Sequence, residues 1–354
     1  MMMAKSGRHS VGKYAYSNAR IKARKARILT KDFMLQLSSA PDLGAAILLL
    51  MQTDYRPELE EYGGTKIKAD MIDFALSKNM ATRIGMLSQI APRDDKTLVA
   101  LITGLWEINN MKIAIEAKER GYSFDKISKY VIDYGRYGRA GIETAMSQPT
   151  VEEVIFSLSH NSKYKTIIAD ALREYKSTGS IFAASLALDK GYYKMLGTIL
   201  DEVRRRDAGS AELLRNEIDI TNLTTLIRSK RRNTPTKYVE GLLMDYGTLR
   251  KQNLLQEYDR AKDLAELVKS VKLFDLNGAL ELYEKTKQLL MFEMHMRNEL
   301  FKKARHLLSS SVLSFGTIVS YAYMKETEIF TLREILKTKE YDIVGSEAAA
   351  LLNA

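Results

Sequence analysis

A helical phrase that recurs three times at nearly even spacing constrains this chain more than any other feature. It reads Glu107-Ile108-Asn109-Asn110-Met111, then Asp219-Ile220-Thr221-Asn222-Leu223, then Glu328-Ile329-Phe330-Thr331-Leu332. Each copy continues with apolar residues six and seven places after its Ile: Ala114 and Ile115, Leu226 and Ile227, Ile335 and Leu336. Each then reaches a lysine, Lys118, Lys230 or Lys339. Apolar residues at relative positions 0, 3, 6 and 7 form one stripe of an amphipathic helix. An acid at the start and a cation at the end suit the helix macrodipole. The acids Glu107, Asp219 and Glu328 lie 112 and 109 residues apart, so the chain reads as three related units of about 110 residues.

Other matches keep the same offset. Ala75-Leu76-Ser77-Lys78 and Ala187-Leu188-Asp189-Lys190 are 112 residues apart, upstream of the phrase. Pro41-Asp42-Leu43 and Pro149-Thr150-Val151 are 108 apart, and each leads into an apolar run that ends near Tyr55 or Tyr164. Phe274-Asp275-Leu276 is the expected counterpart in the third unit. The expected divisions are residues 1–122, with a basic N-terminal helix, 123–233 and 234–354.

A chain of 354 residues has room for two or three domains. Its five prolines, Pro41, Pro57, Pro92, Pro149 and Pro235, fall at plausible connections, and strand signals are sparse. The expected class is all-α, with three similar helical domains. The absence of cysteine excludes disulfides and thiolate chemistry. Leu43 to Met51 is strongly apolar but far short of the roughly 20 residues of a membrane span, and Leu307 to Met324 carries five serines, so no span is expected. The N-terminus has no apolar core of the signal-peptide kind.

The net charge of +10 is concentrated at one end. Residues 1–31 hold nine bases and no acid; the 54 bases less those nine leave 45 against 44 acids in the rest. From Tyr14 onward this segment reads as a helix, with Arg20, Arg24, Arg27 and Lys31 on one face and Ile21 and Ile28 on another. Such a face fits an acidic protein, lipid head groups or a phosphate backbone, or is simply solvated.

Candidate chemistry is otherwise thin. Gly7 to Lys13 has the glycine and lysine spacing of a phosphate-binding loop, but Tyr14 stands where a Ser or Thr hydroxyl would bind magnesium, and only six residues precede Gly7. The four histidines, His9, His160, His295 and His306, never fall at the three- or four-residue spacing of a helical metal face. The methionines around His295 read as core filling rather than a soft-metal site. Gly135 to Gly141, with its two arginines, reads as a turn between helices. No carboxylate pair stands out as an acid and a base, and no serine sits in a nucleophile elbow. No catalytic residue, cofactor or metal is expected.

Tyr14-Ala15-Tyr16-Ser17-Asn18-Ala19-Arg20-Ile21, and above all Asn216 to Lys230, make the chain resemble the C subunit of archaeal-type (A-type/V-type) rotary ATPases, whose eukaryotic counterpart is the d subunit of the vacuolar ATPase. The resemblance extends over essentially the whole chain, through Leu188-Asp189-Lys190-Gly191-Tyr192-Tyr193 to Glu328–Lys339. It departs at Glu116, which stands where the second unit has Arg228, and after Gly345, where the tail is rich in Ala and Leu. The resemblance implies a pseudo-threefold funnel that catalyses nothing. It would seat the central shaft, made of the D and F subunits, on the membrane proteolipid ring, on the cytoplasmic face, and pass torque between ATP turnover and ion transport. It implies no nucleic-acid partner, and attachment at the membrane through protein contacts. It assigns no contact to Arg20, Arg24 or Arg27, whose grip on an acidic partner rests on their charge. The alternative is a helical-repeat scaffold that binds RNA or an acidic protein through the basic arm.

Overall fold

The computed structural model describes residues 12–340 except 65, 66, 68, 161 and 312, and every regular element among them is helical. In chain order the helices are α1 (Ala15–Lys25), α2 (Lys31–Ser38), α3 (Leu43–Leu50), α4 (Arg56–Glu61), α5 (Ala69–Ile90), α6 (Lys96–Ile102) and α7 (Gly104–Glu119). They continue with α8 (Phe124–Ile127), α9 (Arg139–Met146), α10 (Val151–Leu158), α11 (Lys165–Thr178) and α12 (Ile181–Arg206). The series ends with α13 (Ala208–Arg231), α14 (Thr236–Glu240), α15 (Lys251–Arg260), α16 (Leu264–Ser270), α17 (Asn277–Thr286), α18 (Leu290–Ser310) and α19 (Gly316–Glu340). The chain divides into an internal unit, residues 50–198, and a terminal unit that joins residues 1–49 to 199–354.

In the internal unit α7 is the central element, with α9 and α10 packed against it. Its Ile108, Met111, Ala114 and Ile115 are fully buried, which is the stripe that the 3.6-residue period requires. The segment Arg93–Glu119 is apolar and long enough to cross a membrane by composition alone. Of its most apolar 18-residue stretch 67 % is buried within the protein, as in a core helix.

In the terminal unit α18 lies along α19, and α13 packs against both. The buried stripes are Ile220, Leu223, Leu226 and Ile227 on α13 and Ile329, Leu332, Ile335 and Leu336 on α19. Helices α1 and α2 pack on α19, so the two ends of the described chain share one core. Asn18 fastens α1: its Oδ1 accepts the Leu313 amide at 3.1 Å.

The basic helix is shorter than its sequence pattern suggests. It ends at Lys25, leaving Arg27 in the following turn and Lys31 at the start of α2. Two interactions stop it. The Leu29 N–H donates to the Glu328 carboxylate at 2.6 Å instead of to a carbonyl one turn back. Thr30 caps α2 by accepting the Phe33 amide at 3.2 Å.

The third-unit counterpart of Asp42 and Thr150 also differs from the sequence expectation. Asp42 accepts the Ala45 amide at 2.8 Å, and Thr150 forms a capping box with Glu153. The matching cap in the terminal unit is Asp263, which accepts the Glu266 amide at 2.8 Å. Asp275 belongs one helix later, where its Oδ1 accepts the Asn277 amide. There it does what Thr53 and Ser162 do for the amides of Tyr55 and Tyr164. The Asp-Leu dipeptide occurs at both places; only 263–264 opens the equivalent helix.

Thr150→Ala and Asp263→Ala should each lower stability by about 1 kcal/mol, the usual cost of an N-cap side chain. Urea unfolding followed by circular dichroism reads this directly, with the exposed Gln252→Ala change as the neutral control.

Candidate functional site: three polar clamps and a basic helix

The three copies of the recurring phrase make one set of contacts, built from an acid, an amide or hydroxyl, and a lysine. On α7 the buried Glu107 Oε1 accepts the Arg136 N–H at 2.9 Å. Its Oε2 accepts the Tyr164 hydroxyl at 2.9 Å and pairs with Lys163 at 2.7 Å. On α13 Asp219 accepts the Thr248 and Leu249 amides at 2.8 and 3.0 Å. On α19 Glu328 accepts the Leu29 amide and pairs with the buried Lys325 at 2.6 Å.

One turn on, Asn110 donates to the Ile132 and Tyr137 carbonyls at 2.7 Å and accepts the Ile132 N–H. Asn222 does the same with Met244, donating to its carbonyl at 2.9 Å and accepting its N–H at 2.7 Å. Both asparagines satisfy a buried backbone pair that no helix or sheet ladder reaches. The third copy has Thr331, whose hydroxyl bonds back to the Thr327 carbonyl of its own helix.

The lysines complete the pattern. Lys118 donates to the Met146 carbonyl, Lys230 to that of Tyr258 and Lys339 to that of Ala40, at 3.3, 2.8 and 2.6 Å. In the first two copies the acid reaches 29 residues ahead and the lysine 28. In the third both reach 299 residues back, to the N-terminal segment. The chain around residues 29–40 therefore does for α19 what residues 136–146 do for α7 and 248–258 for α13.

Glycine permits the close approach in two copies. A Cβ on Gly135, whose φ is +67°, would collide with the Glu107 carboxylate, and one on Gly247 would collide with that of Asp219. The Gly135–Gly141 segment is thus the turn that Glu107 grips. Ile28 takes this position in the third copy.

Burial raises the pKa of Asp219, against the lowering effect of the two backbone amides that it accepts. Burial and the nearby Glu107 charge push that of Tyr164 far above its ordinary value, so this hydroxyl is a fixed donor. Asp189, paired with Lys112 at 2.8 Å, is also raised by burial. Asp219 holds backbone amides, Tyr164 holds Glu107 and Asp189 holds Lys112.

Arg20 and Arg27 are exposed and Arg24 is half-buried. Tyr16, four residues before Arg20, is 64 % exposed and extends the same outward face. Lys25 turns the other way and donates to Ser309 at 2.8 Å. Gly7 to Val11 of the phosphate-loop-like segment, His9 and the tail after Gly345 lie outside the described residues. Among the described residues no three His, Asp or Glu side chains meet in a metal-binding group. An open cleft of about 600 Å³ in the internal unit is lined by Tyr62, Phe74, Lys78, Asp133 and Arg139. Its charges serve the fold: Lys78 pairs with Glu61, Arg139 lies over Phe74, and Asp133 accepts the Arg139 amide.

Among known proteins, the ATP synthase (C/AC39) subunit family matches residues 17–348. The chain belongs to that family. Members of the ATP synthase (C/AC39) family are structural subunits of their complexes and are not themselves catalytic, and the complexes are membrane-associated. Relatives named as the C subunit of an A-type ATP synthase include one from Methanosphaera stadtmanae, 24 % identical over 73 % of this chain and 65 % of its own length. One from Methanocaldococcus jannaschii is 28 % identical over 61 % of this chain and 54 % of its own. Another, from Methanobrevibacter smithii, is 25 % identical over 92 % and 84 %. The chain thus spans less than two thirds of the first two relatives.

Asn222→Leu should cost about 1–3 kcal/mol, because the Met244 N–H and C=O would be left buried without a partner. Glu328→Ala should release the Leu29 amide. Hydrogen exchange would then accelerate in residues 26–40 as well as at the end of α19, although the two segments are some 300 residues apart in sequence.

Proposed function

We propose that this chain is the non-catalytic central-stalk connector of a rotary A/V-type ATPase. It would be a socket that links the rotating shaft, made of the D and F subunits, to the membrane proteolipid ring. In that place it passes torque between ATP synthesis or hydrolysis and ion transport, peripheral to the cytoplasmic face of the membrane and held there by protein contacts. The match to the ATP synthase (C/AC39) subunit family over residues 17–348 carries this reading.

The clamps support it from the physics. With domains at 1–122, 123–233 and 234–354, each clamp joins the last helix of one domain to the opening residues of the next. The third returns from the last domain to the first. Three like joints in cyclic order are what a pseudo-threefold funnel requires. A part that transmits torque has to resist shear between its domains, and buried charge-assisted hydrogen bonds to backbone resist it directionally.

On this reading Arg20, Arg24 and Arg27, with exposed Tyr16, meet an acidic surface in the assembled complex. The family match does not favour the RNA-binding alternative.

Calorimetry with a purified pair of shaft subunits at near-physiological salt tests the socket. Saturable one-to-one binding with no response to RNA is expected; absence of shaft binding together with salt-sensitive RNA binding would overturn the proposal. Arg20→Glu, Arg24→Glu and Arg27→Glu combined should weaken assembly about tenfold, and unchanged assembly would remove these three residues from the interface.

A further inference from the structure

Where α13, α18 and α19 pack together, two carboxylates, Glu293 and Glu326, flank the largely buried Arg297 guanidinium and a third, Glu217, is buried on the adjoining α13; neither the clamps nor the basic helix uses them. Glu217 of α13 is 4 % exposed, and its Oε2 has no hydrogen-bond partner. Arg297 of α18 bonds Glu293 Oε1 through Nε and Nη2, both at 3.2 Å, and its Nη1 lies 3.8 Å from Glu326 Oε1 of α19. Its guanidinium also lies over the Phe330 ring, beside the buried Met291 and Met294. The remaining cation, Arg228, sits on the solvent side at 3.3 Å from Glu293 Oε2 and is 59 % exposed.

Charge counting gives the problem its form. Glu293 is neutralised from both sides, by Arg297 and by Arg228. That leaves two cations, Arg297 and Arg228, against three carboxylates, with Glu217 buried and its Oε2 without a donor, and an uncompensated charge there is costly. A surplus negative charge at such a site is removed most cheaply by a proton.

Among the described residues the surroundings supply no other cation. Lys325, next to Glu326 in sequence, is committed to Glu328. Lys303 of α18 is held by Asn216 and Glu212, and Lys25 of α1 by Ser309. Arg333 lies two helical turns further along α19. The charged side chains of α16 and α17, Glu266, Lys269, Glu281, Glu284 and Lys285, are exposed, as are Lys237 and Glu240 of α14 and Lys31 and Asp32 of α2. His295 falls between Glu293 and Arg297 in sequence, on the other side of α18.

We propose that this seam is a proton-binding site: the buried, unpartnered Glu217 and the Glu326 beside Arg297 retain one proton between them, and its loss loosens the packing of α13, α18 and α19. Burial pushes Glu326 up to about 7, with the Glu217 charge adding to the rise and Arg297 opposing it. Burial raises Glu217 as well, with Arg297 opposing and Glu293 adding. The two titrate as a pair, so the proton belongs to the seam rather than to either residue.

The direction of the pH effect follows. Unfolded glutamates release their protons near pH 4.5, whereas the folded seam keeps one to about 7. The folded state therefore binds more protons than the unfolded state within that window, and stability falls as pH rises through it.

The test is urea unfolding of the full chain at a series of pH values, together with carbon-13 carboxyl spectra of glutamate-labelled protein. The folding constant should fall by up to about tenfold per pH unit between pH 5 and 7, the effect of one proton. Glu326→Gln and Glu217→Gln should flatten that slope, because glutamine mimics the protonated acid and removes the surplus negative charge. In the wild type a carboxyl resonance should titrate near pH 7. A slope unchanged in both variants, or spectra in which every glutamate titrates below about pH 5.5, would overturn the proposal. The spectra need only wild-type protein, so a variant that fails to fold does not shield it.

Discussion

A carboxylate on a core helix that holds backbone amides of a distant segment is the interaction on which this molecule depends. Helix packing alone fixes an apolar stripe against its neighbours but tolerates sliding along the axis, because methyl groups are interchangeable contacts. Glu107, Asp219 and Glu328 remove that freedom. Each is buried and accepts backbone N–H groups, so any displacement leaves both the charge and the amide unpaired in a dry place. The lysine three turns later grips a second backbone point and fixes the register over the length of the helix.

The third clamp changes what the N-terminal segment is. Its basic charge suggested an appendage reaching for a partner, yet the buried side of α1 and the turn after it are structural. Ile21 is fully buried, Asn18 ties α1 to the chain before α19, and Leu29 and Ala40 are the targets of Glu328 and Lys339. Only the outward face, with Tyr16 and Arg20, is available to another molecule. A segment that closes a core and presents charge on its other side ties whatever that face meets to the integrity of α19.

Much of this was legible in the sequence, for identifiable reasons. A period of about 110 residues survives in the chain because the acid, the apolar stripe and the lysine each meet a separate physical demand. The apolar positions were legible because burial selects residue class and helix geometry fixes spacing. What the acids and lysines bind was not legible, because their partners are backbone groups, which leave no mark on residue identity except at Gly135 and Gly247. The end of α1 was hidden for the same reason: the Leu29 amide that interrupts it is taken by a residue 299 positions away. The cap at Asp263 was not legible because Asp-Leu occurs at both 263–264 and 275–276 and neither is preceded by the proline that marks the other two copies. Glu217, Glu293, Arg297 and Glu326 look like ordinary surface residues of amphipathic helices, and only the meeting of three helices makes them a buried set.

The clamps and the acidic seam share one physics with opposite consequences. In the clamps each buried carboxylate is matched by backbone donors or a lysine, so its charge is satisfied and the joint is stiff. At the seam three carboxylates stand against two cations and one oxygen of Glu217 is left without a donor, so the joint depends on a group that solvent can supply or withdraw. Both occur in the terminal unit, and α19 takes part in each, through Glu328 and Lys339 in a clamp and through Glu326 at the seam. Only Thr327 stands between Glu326 and Glu328. A change in the protonation of the first acts on the same helical turn that holds the N-terminal segment through the second, so a loosened seam would reach the closing clamp before it reached any other.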